Sequence, residues 1–214
     1  MNKKYLNYSL LALIPFLIII AIVIFNMNAI QHLDNLITLE IVSWRTPLLS
    51  SFFNAVTILA NPMSVVSTVV ILAVIAYLLT KRIDLPLWIL ITNAIGSLAL
   101  NPLVKNIVQR SRPNEAIRMV QESSYSFPSG HAFSSMVAFG CVIVLLILSL
   151  KPSVFRRILI VFAFLIVLFI GFSRIFLGVH YFSDVLAGFS FGLFWLLLSL
   201  SFFLARRPEI KAKK

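Results

Sequence analysis

The sequence predicts an all-α protein threaded several times through a membrane. Two observations carry that prediction. The chain is 60% hydrophobic and only 12% charged, whereas soluble domains hold roughly 45–50% apolar and about 25% charged residues. Several apolar runs also reach or approach the ~20 residues a helix needs to cross a hydrocarbon core about 30 Å thick. No polar linker or soluble insert long enough to fold alone interrupts them. Residues 1–214 therefore read as one membrane-embedded domain.

About six spans are expected, at 8–27, 62–80, 86–103, 131–150, 155–172 and 183–204. The first follows Lys3 and Lys4 and resembles a signal peptide. Its apolar run is long, however, and Asn26-Met27-Asn28-Ala29 is a poor cleavage site, so it reads as an uncleaved span. Pro47 to Ala60 is apolar but only 14 residues long and contains Asn54. That length suits an interfacial or re-entrant element better than a span. The single cysteine, Cys141, lies mid-span. It excludes an intrachain disulfide and a cysteine-based zinc cluster, and reads as a small buried apolar residue.

The net charge is +11, but nucleic acid is not the expected partner. The basic residues are scattered between spans and form no continuous stripe with interleaved aromatics. Topology accounts for them. Twelve fall on one side, at Lys3, Lys4, Lys81, Arg82, Lys151, Arg156, Arg157 and the tail Arg206 to Lys214. Six fall on the other: Arg45, Lys105, Arg110, Arg112, Arg118 and Arg174. The positive-inside bias places both termini in the cytoplasm. Segments 28–61, 104–130 and 173–182 then face outward from the plasma membrane.

Three clusters collect on that outer face. Lys105 and Arg112 lie seven residues apart, two turns along one helix face, with Pro113 ending the element. Arg offers a planar fork to phosphate oxygens and Lys a point charge; the bland alternative is a cation pair meeting lipid headgroups. In Pro128-Ser129-Gly130-His131, Ser129 is a helix N-cap candidate and Gly130 lets backbone approach a ligand. Free N–H groups at a helix start attract anions, and His131 would exchange a proton there. The alternative is an ordinary cap with an interfacial histidine. In the third cluster Arg174 adds a cation, and His180 and Asp184 stand at i, i+4 spacing. A carboxylate at bilayer depth demands a partner. If it binds one imidazole nitrogen, the other is free to attack. An interfacial ion pair is the alternative here. A metal suits the histidines less well, because the surrounding Lys and Arg attract anions and repel a divalent ion.

These residues resemble the signature of the type 2 phosphatidic acid phosphatase family, whose superfamily includes vanadium haloperoxidases and bacterial acid phosphatases. Lys105-x6-Arg112-Pro113, Pro128-Ser129-Gly130-His131 and Ser173-Arg174-x5-His180-x3-Asp184 fill every defining position over 105–184. Each part alone is weak; the three in order are specific. The resemblance implies a membrane-bound, metal-independent lipid phosphatase with no cofactor. It implies that His180 attacks phosphorus, Asp184 orients it and His131 protonates the leaving oxygen. Lys105, Arg112, Ser129, Gly130 and Arg174 would hold the phosphoryl oxygens.

The substrates it implies are lipid phosphates. Undecaprenyl diphosphate is favoured because it must be dephosphorylated on the outer face; phosphatidylglycerophosphate and phosphatidate are the alternatives. A lipid phosphotransferase, with another acceptor replacing water, is a second enzyme reading. An anionic-lipid transporter is a remote third. It would need polar groups through the midplane, where only Asn93 and Ser97 stand out, at a spacing of four that also suits helix packing.

Overall fold

The computed structural model describes residues 1–206. The basic tail expected over Arg206 to Lys214 therefore lies, beyond Arg206, outside the described residues. The protein is a multi-pass helical membrane protein, with six helices long and apolar enough to span a bilayer. In chain order the elements are α1 (Lys3–Phe25), α2 (Met27–Ser43), α3 (Pro47–Ile58), α4 (Pro62–Thr80), α5 (Asp84–Ile95), a π turn (Gly96–Leu100), α6 (Asn101–Val108), α7 (Gly130–Ser149), α8 (Val154–Phe176) and α9 (Phe182–Ala205). The third span is the continuous run α5–π turn–α6.

The helices outrun the apolar stretches that announce them. The first starts at Lys3 instead of residue 8, and the fifth runs to Phe176 instead of residue 172. Hydropathy reads only the hydrocarbon-facing part, whereas a helix continues into the headgroup layer until a cap stops it. Thr46, Ser129 and Ser153 supply such caps, accepting from Leu49, Ala132 and Arg156 N–H groups. Gln109, at φ 51°, ends α6 in the left-handed region.

The segment 47–60 does not cross. From α1 to α4 the chain stays at one end of the bundle, and its polar contacts show it. Asp34 of α2 binds Arg110. Arg45 donates to the Phe176 and Ile117 carbonyls. Thr57 of α3 accepts from Arg174. Asn61, just before α4, pairs with His131. α2 and α3 therefore cap the same end as the 109–129 connection and the 177–181 turn. This agrees with the loop grouping read from the charges.

The core is helix on helix. In α1, Ser9, Phe16 and Val23 are buried at heptad spacing; Phe16 stacks on Phe191 of α9 at 4.5 Å between centroids. α7 and α9 approach closely where Gly188 faces the α7 start. A Cβ there would lie 2.6 Å from the Ser129 carbonyl oxygen and 2.9 Å from the Ala132 Cβ. Glycine thus lets the two motif-bearing helix starts touch. Asn93 donates to the Ile89 carbonyl and faces the buried Cys141 thiol, and Ser97 pairs with Ser134. These polar groups of the third span are used in helix packing.

Candidate active site

All three clusters converge at this end of the bundle, but not in the way their spacing suggests. Lys105 sits in the last turn of α6, whereas Arg112 lies beyond Gln109 in the irregular 109–129 connection. The expectation of two turns on one helix face is therefore corrected: the left-handed Gln109 breaks the helix between them. They meet through the backbone instead. The Lys105 ammonium donates to the Tyr125 carbonyl. Arg112 reaches that same carbonyl at 3.4 Å and the Ser124 carbonyl at 2.7 Å.

α7 begins as expected. Ser129 is its N-cap, with Oγ accepting from the Ala132 N–H at 3.4 Å. The Ser129 N–H is engaged by the Asp184 carbonyl at 3.0 Å, and the Phe133 N–H makes the first intrahelical bond back to Ser129. Gly130 and His131 occupy the first two helical positions, whose N–H groups have no place in the i to i−4 ladder. The side of Gly130 that lacks a Cβ faces Asn101 Oδ1 and the Lys105 stem. His131 Nε2 lies 3.0 Å from Asn61 Oδ1.

His180 falls in the turn before α9, not on the helix. Tyr181 is the N-cap, and the Asp184 carboxylate reaches back to the Tyr181 N–H at 3.0 Å. The expected touching of His180 and Asp184 through helical spacing is thus replaced by a capping box. His180 Nδ1 lies 3.5 Å from Asp184 Oδ2, too long for a strong hydrogen bond. The Ser126 hydroxyl spans the pair, 2.5 Å from Asp184 Oδ2 and 3.3 Å from His180 Nδ1. The other imidazole nitrogen, Nε2, faces Arg112 Nη1 at 3.3 Å. Burial, with Arg112, Lys105, Arg174 and His131 around it, holds the imidazole well below its ordinary pKa, so the ring is neutral at pH 7. A neutral ring that gives its Nδ1 proton to Ser126 presents a lone pair at Nε2.

Arg174, in the last turn of α8, is only 2% exposed. It donates to Thr57 Oγ1 at 2.8 Å and pairs with Glu122, which also lies 3.6 Å from Arg112. By sequence Arg110 is only one of six basic residues on the sparse side. It is buried and bonds Asp34 and Asp184 at 2.7 Å each. Ser126, Asn61, Glu122 and Arg110 were all missed by motif reading. For Arg110 a signal existed. The chain has only seven Asp and Glu residues, so a carboxylate such as Asp34 in an apolar helix demands a buried cation, and Arg110 was the unassigned one within the first motif.

The arrangement is one neutral nucleophilic nitrogen and a second histidine, facing a surface of Lys105, Arg112, Arg174 and a helix start. That surface is built to hold a tetrahedral anion. The family model of the PAP2 superfamily matches residues 86–208. The chain belongs to the PAP2 superfamily. As a member it is a membrane-embedded lipid phosphatase. Over 208 residues it is 32% identical to "Phosphatidylglycerophosphatase B" of Bacillus subtilis (strain 168), covering 97% of this chain and 98% of the relative. The crystal structure of the transmembrane PAP2-type phosphatidylglycerolphosphate phosphatase from Bacillus subtilis superposes with a TM-score of 0.83 at 31% identity. It covers 91% of this chain and 94% of that one. The Aquifex aeolicus LpxE structure shares the fold at a TM-score of 0.60 and 22% identity, over 78% of this chain and 94% of that one.

Proposed function

We propose that this chain hydrolyses phosphatidylglycerophosphate through a covalent phosphohistidine at His180. The observation that carries the mechanism is the fixed imidazole. Its Nδ1 is tied to Ser126 and Asp184, and its Nε2 faces the cations. Nε2 attacks phosphorus, forming an N–P bond as the bond to the lipid oxygen breaks. His131 gives its proton to that oxygen. His131 then takes a proton from water as the water oxygen attacks phosphorus, releasing inorganic phosphate and free His180. Lys105, Arg112, Arg174, the Ser129 hydroxyl and the Gly130 N–H bind the phosphoryl oxygens. The Ser129 N–H is already engaged by Asp184, so the hydroxyl is that residue's contribution. Glu122 holds the arginines until the phosphate replaces it.

The substrate follows from the near full-length likeness to a phosphatidylglycerophosphatase. Undecaprenyl diphosphate, favoured on location alone, becomes the second substrate to test. The loop charges support a site on the outer face of the plasma membrane, with both termini cytoplasmic. The test is phosphate release by purified protein in detergent from phosphatidylglycerophosphate, undecaprenyl diphosphate and phosphatidate, beside His180→Ala. The highest kcat/KM is expected for phosphatidylglycerophosphate, with no turnover in the variant. A higher value for another lipid overturns the substrate assignment, and turnover by His180→Ala overturns the mechanism.

A further inference from the structure

Arg110 fills a non-defining position of the first motif, between Lys105 and Arg112, yet it makes the most enclosed polar contacts at the site. Its side chain is 1% exposed, and those of Asp34 and Asp184 are 2% and 0%. One guanidinium nitrogen donates to Asp184 Oδ1 and to Ser183 Oγ, both at 2.7 Å. The other donates to Asp34 Oδ2 at 2.7 Å and to Gln31 Oε1 at 3.1 Å. Its plane covers the Tyr181 ring at 4.4 Å. Asp34 in turn accepts from the Ser183 N–H at 2.9 Å and from the Ser183 hydroxyl at 2.5 Å. A helix at the bundle end is thereby clamped to the first turn of α9, where Asp184 sits.

We infer that Arg110, braced by Asp34, is a positioning residue for the reaction: it fixes the Asp184 carboxylate so that its second oxygen faces Ser126 and His180. Three features favour this over a plain structural tie. Arg110 occupies Oδ1, leaving Oδ2 to the Ser126 and His180 side. Two carboxylates share one guanidinium, so both fork directions are used and the Asp184 plane is set. The clamp also spans α2, the 109–129 connection and α9, three segments that must hold register for Nε2 to meet phosphorus. Misplacement of about 1 Å at a reacting nitrogen costs on the order of 10²-fold in rate.

The inference rests on His180 acting as the nucleophile, and the experiment separates the two. Wild type, Arg110→Lys, Arg110→Gln, the charge-balanced Arg110→Gln/Asp34→Asn double variant and His180→Ala are purified in detergent. Gel filtration and thermal unfolding give the folded fraction for normalisation. Phosphate release from phosphatidylglycerophosphate is then measured across pH. The double variant is included because Arg110→Gln alone leaves two buried carboxylates uncompensated and is liable to misfold.

The double variant is expected to lose about 10²-fold in kcat per folded protein, with KM changed by less than about threefold. If Arg110→Gln folds, the acid limb of kcat/KM moves to higher pH. His180 is faced by Asp184 of α9, Lys105 of α6, Arg112 of the connection, His131 of α7 and Arg174 of α8. Removing a cation behind Asp184 makes the ring easier to protonate. Arg110→Lys restores the limb, because the charge returns, but recovers kcat only in part, because one ammonium cannot span both carboxylates. Native kcat and pH profile in the folded double variant overturn the inference, as does a rise in KM at unchanged kcat, which would make Arg110 a phosphate ligand. Activity in His180→Ala overturns the underlying mechanism instead.

Discussion

Ser126→Ala separates a bridging hydroxyl from a direct His180–Asp184 bond. The hydroxyl is fully buried and binds both partners, while the imidazole and carboxylate are 3.5 Å apart. Its removal does not orphan Asp184, which keeps Arg110 on Oδ1 and the Tyr181 N–H on Oδ2. One hydrogen bond to a charged group is lost, worth about 1.5–3 kcal/mol. Only the part that strengthens as the imidazole gains positive charge on phosphorylation appears in kcat. Counting half to all of the upper figure gives a loss of about 10- to 100-fold. Asp184→Asn removes the charge as well, and by analogy with buried acids behind catalytic histidines costs about 10⁴-fold. The assay is phosphate release from lipid phosphate in mixed micelles, with kcat and KM separated. KM should hardly change. A Ser126→Ala enzyme at the wild-type kcat would refute the bridge, and one as inactive as Asp184→Asn would make the hydroxyl a proton carrier instead.

Gly188→Ala forces a Cβ against the Ser129 carbonyl. It should cost about 1–3 kcal/mol in overpacking and lower kcat by displacing the α7 start; unchanged thermal unfolding and rate would contradict the close-contact account. Nitrogen NMR on labelled histidine should show the His180 ring neutral and Nδ1-protonated at pH 6, because burial and the three neighbouring cations keep its pKa low. A ring that titrates near the ordinary value of about 6.5 would contradict that. The sign for stability follows: the unfolded chain takes up a proton below about pH 6.5 that the folded one refuses, so His180 makes folding less favourable as pH falls. EDTA should leave turnover unchanged and orthovanadate should compete with substrate, since the cation-rich site attracts anions. A rate lost to EDTA and restored by a divalent ion would point to a metal, and insensitivity to millimolar vanadate would count against five-coordinate phosphorus at the site.

The spans were legible because hydrocarbon length and apolar run are the same quantity. The three motifs were legible because their residue types are costly at bilayer depth. The charge pattern also held a second message. All six basic residues on the sparse side are engaged: Arg45 and Lys105 on carbonyls, Arg110 and Arg174 on carboxylates, and Arg112 and Arg118 on both. Their breach of the charge rule marks buried work, and only Lys105, Arg112 and Arg174 were read that way from sequence. What spacing could not give was the break at Gln109, which places Arg112 off the helix. Nor could it give the Tyr181 cap, which takes His180 off α9. Both depend on where a helix ends. Ser126, Asn61 and Glu122 are ordinary polar residues in loops, and only the folded chain brings the first two against the histidines and Glu122 against Arg112 and Arg174.

The central claim is a phosphoryl group carried on His180. Rapid quenching of the enzyme with substrate radiolabelled in the terminal phosphate tests it most directly. The mechanism predicts protein-bound label that is stable in base, labile in acid, located on the peptide containing His180, and absent from His180→Ala. Full turnover with no protein-bound label at any quench time, or label on another residue, would contradict it.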